Sequence, residues 1–367
     1  NHFNLISNLI KTNFFSSINN AGSKIGQAMI RFSETQEADV VDSIFQNQQQ
    51  VAGLIAARNN EMRSNQGLAS SRPNFSKPNG VAGPFDNQPK SHGWIRGYRS
   101  KASYDAQSTS PRAEALGYGT VIGFDKYVNN NLLMGVAGTI GRSDSLANNV
   151  YNSDTEIYNG SVYATIGGYE RYVDMAFSLG KTSTDVINYF DLPNHEFNST
   201  LTSFYIGGGQ SYNIGKRTKI IPEVSFLYSK YNQDAYEREG MISKSVHDYT
   251  TYSKLLSLGV NISTYRQIHW LNHALALLPS FNIHWLHEFN TEISNVDYNF
   301  ASGEGLDEST DYYLDVRDRE ANMLKYGLEL SCWNWLYHNI KFDLNYDFTL
   351  GKNRNEQILS GKIGISF

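Results

Sequence analysis

The stretch YVDMAFSLGKT, residues 172–182, decides the fold. In an extended chain, successive side chains point to opposite faces. Val173, Met175, Phe177 and Leu179 therefore share one face, and Asp174, Ala176, Ser178, Gly180 and Thr182 share the other. Large apolar groups on one side and small or polar ones on the other describe a strand between two unlike solvents. The run is also long enough to cross a bilayer at a tilt, which takes about 9–11 residues.

The same split recurs along the chain. At 219–229, Ile220, Val224, Phe226 and Tyr228 oppose Lys219, Glu223, Ser225 and Ser229. At 253–263, Leu256, Leu258, Val260 and Ile262 oppose Ser257, Gly259, Asn261 and Ser263. At 340–350, Ile340, Phe342, Leu344, Tyr346, Phe348 and Leu350 oppose Lys341, Asp343, Asn345, Asp347 and Thr349. The end of the chain sets Leu359, Ile363, Ile365 and Phe367 against Ser360, Lys362, Gly364 and Ser366.

Roughly twelve such segments follow residue 91, near 92–101, 115–127, 132–143, 156–170, 172–186, 200–213, 218–231, 251–266, 272–289, 320–332, 336–350 and 356–367. Their connections sort by parity. Links 2–3, 4–5, 6–7 and 10–11 are very short, whereas 1–2, 3–4, 5–6, 7–8 and 9–10 are long and polar, the longest near 290–319. A soluble sandwich has no reason to sort its loops this way; an outer-membrane barrel is built so, with an even strand number. The expected fold is all-β: a twelve-stranded antiparallel transmembrane β-barrel over 91–367, with the polar face as its lumen.

Composition agrees. Tyr (24) and Phe (19) are abundant and Pro (8) is sparse, the profile of pleated, half-buried surfaces. The formal net charge of −5, with both signs interspersed, excludes the basic stripe of a nucleic-acid binder. No apolar run of 18 residues occurs, so no transmembrane helix is expected. Cys332 is the lone cysteine, which rules out an intramolecular disulfide framework. The chain starts at Asn1 and reads as the C-terminal piece of a longer or processed protein.

Ahead of the barrel lie three zones. Residues 1–36 mix apolar residues with Asn and Ser. Residues 37–66 contain no Pro and read as a helix, with Val41, Ile44, Gln48, Val51 and Ile55 on one stripe and Ala52, Ala56 and Ala57 keeping it slim. Residues 67–90 hold Pro73, Pro78, Pro84 and Pro89 among Gly, Ser and Asn, a linker.

The predicted pore-lining charges carry both signs: Asp174, Lys219, Glu223, Lys325, Glu329, Lys341, Asp343, Asp347 and Lys362. Mixed signs suit an internal ion-pair network or a hydrated pore better than an ion filter. Aromatics at strand ends (Trp94, Tyr127, Tyr169, Tyr172, Tyr231, Trp270, Trp285, Trp333, Trp335 and Tyr337) read as interfacial girdles. No cofactor or metal is called for. His284 and His287 face opposite sides of one strand, His269 and His273 span a turn, and the acidic loop from Glu304 to Asp318 lacks regular calcium-ligand spacing.

The order of these pieces resembles the translocator domain of autotransporters, the type V secretion proteins of Gram-negative bacteria. The matching parts are a helix, a Pro/Gly/Asn linker, SHGWIRGYRS as first strand, and YGTVIGFDKYVNNNLLMGVAGTIGRS with Gly123, Asp125 and Gly135. ALLPSFNIHWLHEF with Pro279 and His287–Glu288 follows, and ILSGKIGISF closes the chain. The resemblance covers about residues 37–367. It implies that the 37–66 helix threads the lumen, that 1–36 is the end of a passenger or passenger-proximal, and that a passenger is exported and displayed at the cell surface. It implies a monomer in the outer membrane lipid, with the barrel-assembly machinery and periplasmic chaperones as partners, and Ile363, Ile365 and Phe367 in the assembly signal. Some family members cleave themselves between two asparagines in the lumen, which makes Asn59 and Asn60 a weak candidate pair in a domain otherwise expected to have no enzyme activity. The alternatives are a barrel enzyme (surface protease or phospholipase), for which His195, Asp191 and Asp311 are the rim groups, and a general porin, which needs no upstream helix.

Overall fold

The computed structural model describes residues 39–56, 58, 91–106, 112–129, 131–147, 151–168, 170–188, 194–215, 217–238, 243–270, 273–290, 298–301, 319–334 and 340–366. Twelve long strands form the main sheet: β1 (Ser91–Tyr104), β2 (Ala113–Asn129), β3 (Leu132–Ala147), β4 (Tyr151–Gly167), β5 (Arg171–Asn188), β6 (His195–Gln210), β7 (Thr218–Gln233), β8 (Tyr249–Thr264), β9 (His273–Glu288), β10 (Asn322–Asn334), β11 (Ile340–Leu350) and β12 (Arg354–Ser366). Each pairs antiparallel with its neighbours in sequence, and β12 returns to β1 from His92↔Ser366 to Tyr104↔Arg354. The barrel is closed. Closure leaves no row of unpaired N–H and C=O groups along an edge, which hydrocarbon would not tolerate.

Among the described residues one helix stands inside it, α1 (residues 39–56, with Arg58 also helical). Short strands decorate the rims. Tyr212–Ile214 pairs with β7, Arg266–Trp270 pairs with β9, and Tyr236–Arg238, Ser243–Val246 and Tyr298–Ala301 make a separate three-stranded sheet. The turns at the end where the chain enters β1 are tight. Two of them use left-handed glycines, Gly167 (φ 106°) and Gly215 (φ 75°), a conformation that costs other residues a steric penalty.

The period-two reading gives the faces correctly along the clearest strands. Val173, Phe177 and Leu179 are exposed, while Asp174, Ala176, Ser178 and Thr182 are buried. Around the whole barrel the outward face is a belt of bare large apolar residues such as Ile122, Phe124, Val136, Phe177, Phe342 and Leu344; Ile140 is 64 % exposed and Leu328 61 %. A water-soluble surface does not carry so continuous an apolar band. It is a lipid face.

Two expectations are corrected. Residues 144–147 and 151–155, read as part of a long polar loop, are strand: pairing continues to Ala147↔Tyr151. Residues 195–199, read as part of the next long loop, likewise pair with β5 as far as Val186↔His195. Beyond the lipid an outward residue has no need to be apolar, so Arg142, Asp144, Asp154 and Glu156 can face water from a continuing ladder. The aromatic girdle is the second. Trp94, Tyr172 and Tyr231 are buried on the inward face, and Tyr127 points the same way, its ring 6.0 Å from that of His92. Of that set Trp285, 41 % exposed, faces lipid. Position near a strand end says nothing about which face a ring takes. Tyr169, Trp335, Tyr337 and the side chains of Trp270 and Trp333 lie outside the described residues.

Candidate functional site: the helix-filled lumen

A helix of this length rises 1.5 Å per residue and spans roughly 30 Å, the thickness of a bilayer's hydrocarbon core. Its apolar stripe packs on one side of the lumen. Val40, Val41, Ile44 and Phe45 meet Ala102, Tyr104, Ala113, Tyr151 and Phe197, and further along Val51, Leu54 and Ile55 meet Trp94, Tyr98, Val121, Tyr163 and Ala176. The lumen wall is thus apolar where this stripe rests on it, and a second apolar cluster on β7 to β10 (Leu227, Leu255, Leu286 and Met323) meets Ala52. Two glycines make this seat possible. A Cβ at Gly123 would lie 2.3 Å from the Trp94 ring, and one at Gly135 2.2 Å from the Tyr163 ring. Both aromatics lie flat on bare backbone and leave room for the helix.

Polar anchors fix α1 along its length. Asn47 Nδ2 donates to Tyr98 Oη at 2.8 Å, and Gln48 takes a bond from Asn159 Nδ2 at 2.7 Å while donating to Ser203. Gln50 Nε2 donates to Glu356 Oε1 at 3.2 Å, and Tyr151 Oη donates to Asp39 Oδ2 at 2.5 Å.

Each end of the helix is held by a guanidinium–carboxylate pair. Near its start, Arg319 Nε lies 2.9 Å from Asp42 Oδ1; the same guanidinium donates to the Tyr252 carbonyl at 2.7 Å and covers the Phe45 ring at 4.3 Å. At its end, Arg58 grips Asp125 with two bonds, Nε–Oδ2 at 2.9 Å and Nη2–Oδ1 at 3.1 Å. Asp125 is fully buried and also accepts from Tyr163 Oη at 2.9 Å, with His92 Nδ1 3.1 Å away. Tyr163 in turn accepts from Trp94 Nε1 at 3.0 Å. Removing one partner from a buried pair leaves an uncompensated charge, which costs about 3–5 kcal/mol. These pairs also give the helix a direction. Its first turn lies with Tyr104, Tyr151 and Arg319 at the end where the long 289–321 connection lies, and Arg58 lies with His92 and Asp125 at the end where β1 begins.

The nine charges expected in the lumen divide into groups. Asp174, Glu223, Lys325, Glu329 and Asp347 border a cavity between the barrel wall and the other face of α1, where Gln49, Gly53 and Ala56 look onto it. There Lys325 Nζ lies 3.0 Å from Asp347 Oδ2, Tyr172 donates to Glu223, and Thr165 Oγ1 donates to Asp174 Oδ1 at 2.7 Å. Asp343 and Lys362 are direct cross-strand partners joined at 2.7 Å, with Lys341 buried two residues from Asp343. Lys219 is half-buried near the turn end of β7.

Ile363 and Ile365 face lipid on β12; Phe367, Asn59 and Asn60 lie outside the described residues. His195, the rim histidine of the enzyme alternative, is buried and stacked on Tyr236 at 5.1 Å, and Asp191 and Asp311 are not among the described residues. His284 points inward to Ser257 and His287 outward to Asn322, on opposite faces as their spacing requires.

Comparisons with known proteins converge on one family. The profile described as Autotransporter beta-domain matches residues 93–347. Outer membrane protein B of Rickettsia typhi is 20 % identical over 289 residues, which is 75 % of this chain but 17 % of that protein; the chain spans under a fifth of its curated relative. Among solved structures, the translocator domain of the autotransporter NalP from Neisseria meningitidis superposes with a TM-score of 0.60 at 14 % identity, over 87 % of this chain and 98 % of that one. The transport unit of the autotransporter AIDA-I from Escherichia coli gives 0.58 at 11 % identity, over 83 % and 97 %. These likenesses show the shared fold, and the profile match shows the kinship. The chain belongs to the autotransporter β-domain family, the translocator barrels of the bacterial outer membrane.

Proposed function

We propose that this domain exports a passenger attached on its N-terminal side and then anchors it at the cell surface, with α1 as the trailing segment left in the lumen. The direction of α1 carries this reading. Its first turn lies at the long-loop end of the barrel and its last turn at the end where β1 starts, so the helix presents its N-terminal end at the loop-side mouth. A helix fits a closed barrel of this size and a folded domain does not, so in this reading the passenger crosses unfolded. Residues 1–36 are then passenger-proximal and residues 67–90 the linker that returns to the barrel.

The test is protease access in intact cells carrying the full chain with an epitope tag before Asn1. External protease should remove the tag and leave the barrel. A tag protected until the cells are permeabilised overturns the proposal. Ile363, Ile365 and Phe367 serve as the signal for the barrel-assembly machinery, reached with the help of periplasmic chaperones. Deleting Phe367 should abolish outer-membrane insertion, and normal assembly of the truncated chain refutes that role.

In this reading the domain performs no covalent chemistry and the Asn59–Asn60 bond stays intact. Intact mass of the assembled barrel checks it: a break between those residues assigns self-cleavage instead.

A further inference from the structure

The outward face is ordered by charge as well as by polarity. Moving from the apolar belt toward the long loops, the first charged outward residue is basic on five strands: Arg99, Arg142, Lys181, Lys230 and Lys254. On β2, β4 and β6 it is an acid, Glu114, Glu156 and Glu196, with Glu156 accepting from Tyr158 Oη at 3.1 Å. Glu114 and Glu196 lie farther out than the basic residues of the neighbouring strands. Glu114 pairs with Lys101 at 2.9 Å, and Asp144 and Asp154 both pair with Arg142. Lys181, Lys230 and Lys254 have no ion-pair partner among the described residues.

These three lysines lie close together on β5 to β8. Lys230 pairs in register with Tyr252, and Tyr228 with Lys254, so the two lysines occupy one diagonal of an outward square and the two tyrosines the other. The tyrosine rings are 6.0 Å apart. On the other flank Thr202 is opposite Lys230 and Thr200 is opposite Lys181, which places hydroxyls between the ammonium groups. Directly toward the bilayer centre come Leu179, Phe204, Phe226 and Leu256. The patch therefore sits at the depth where acyl chains end and headgroups begin. It offers three ammonium donors with no ion-pair partner among the described residues, and hydroxyls that can donate or accept, beside tyrosines that suit such an interface. The nearest outward acid, Glu156, lies diagonal to Lys181 and is engaged by Tyr158 Oη.

We propose that Lys181, Lys230 and Lys254, with Tyr228, Tyr252 and Thr202, bind the phosphate headgroup of a lipid in the loop-side leaflet. Charge complementarity names the occupant. A phosphate brings the negative charge that the patch lacks, and its acyl chains lie along the apolar residues beneath. The diagonal neighbours of a β-ladder are within reach of long side chains, so two ammonium groups can meet one phosphate. The proposal rests on the barrel's seat in the membrane, not on passenger export.

Native mass spectrometry of the purified full chain in neutral detergent tests it, with phosphatidic acid, phosphatidylcholine and inorganic phosphate as separate probes. Phosphatidic acid should be retained with a discrete stoichiometry. The triple variant K181Q/K230Q/K254Q should weaken retention about tenfold or more, given the contribution of each basic residue at an anionic surface. The triple Lys→Arg variant and K352Q, an exposed lysine in the β11–β12 turn, should leave it unchanged. Heat-modifiable migration confirms that each variant is folded. Equal retention of phosphatidylcholine, an unchanged triple Gln variant, an equal loss in K352Q, or inorganic phosphate bound as tightly as the lipid each overturns the proposal.

Discussion

Asp125 ties the helix to two strands of the barrel wall. It receives Arg58 from the helix, Tyr163 from β4 and lies against His92 from β1, all without solvent. Arg58→Gln should therefore release the end of α1 and strand a buried negative charge, at a cost of about 3–5 kcal/mol. In planar bilayers the variant should visit a larger conductance than the parent protein. Arg58→Gln with Asp125→Asn removes both charges and should recover most of the closed state; equal behaviour of single and double variants would show that the pair is uncoupled. Neither this clamp nor the Arg319–Asp42 clamp was legible in the sequence. The partners are 67 and 277 residues apart, and a single ion pair over such a distance leaves no periodic trace. Asp125 drew notice through family resemblance, with no role attached. Trp94 shows the other limit: in β1 it alternates with Ile95, so both faces hold a large apolar group and hydrophobicity alone cannot choose the inward one.

At the scale of elements, the apolar stripe of α1 was visible and its destination was not. Val41, Ile44, Val51 and Ile55 need apolar neighbours, while the alternation pattern suggested a lumen of small and polar groups. Tyr104, Tyr151 and Phe197 around Val41 and Ile44, and Tyr98, Val121, Tyr163 and Ala176 around Val51 and Ile55, resolve the mismatch, because the inward wall is apolar where it meets the stripe. The strands carrying those residues have apolar residues on both faces. A rule that assigns the apolar face to lipid passes over them. Ile44 is fully buried in this contact, so Ile44→Asp should expel the first half of α1 into water. Expected outcomes are a higher open probability in bilayers and new protease cleavage between residues 39 and 56, with the barrel's heat-modifiable migration retained. A conductance identical to that of the parent protein would mean that the stripe does not hold the helix.

For the whole molecule, the strand count and handedness of inside and outside were readable because period-two patterning repeats in every segment, and its errors cancel over twelve of them. Strand ends were not readable where they leave the bilayer, since outward residues such as Asp144 and Asp154 become polar while the ladder continues. The same separation between a self-sufficient barrel and a removable occupant predicts what deletion of residues 1–66 does. Backbone closure between β1 and β12 and the lipid-facing belt owe nothing to α1. The groups that α1 satisfies (Tyr98, Ser203, Asn159 and Glu356) point into a space that water can enter, so their hydrogen bonds pass to solvent at small net cost. Asp125 likewise becomes hydrated when Arg58 leaves with the helix. The shortened chain should therefore still insert and migrate as a folded barrel, and its conductance should rise several-fold as the lumen fills with electrolyte. A general porin would show no change on the same deletion. A barrel that fails to form without residues 1–66 would mean that α1 is part of the fold and not an occupant of it.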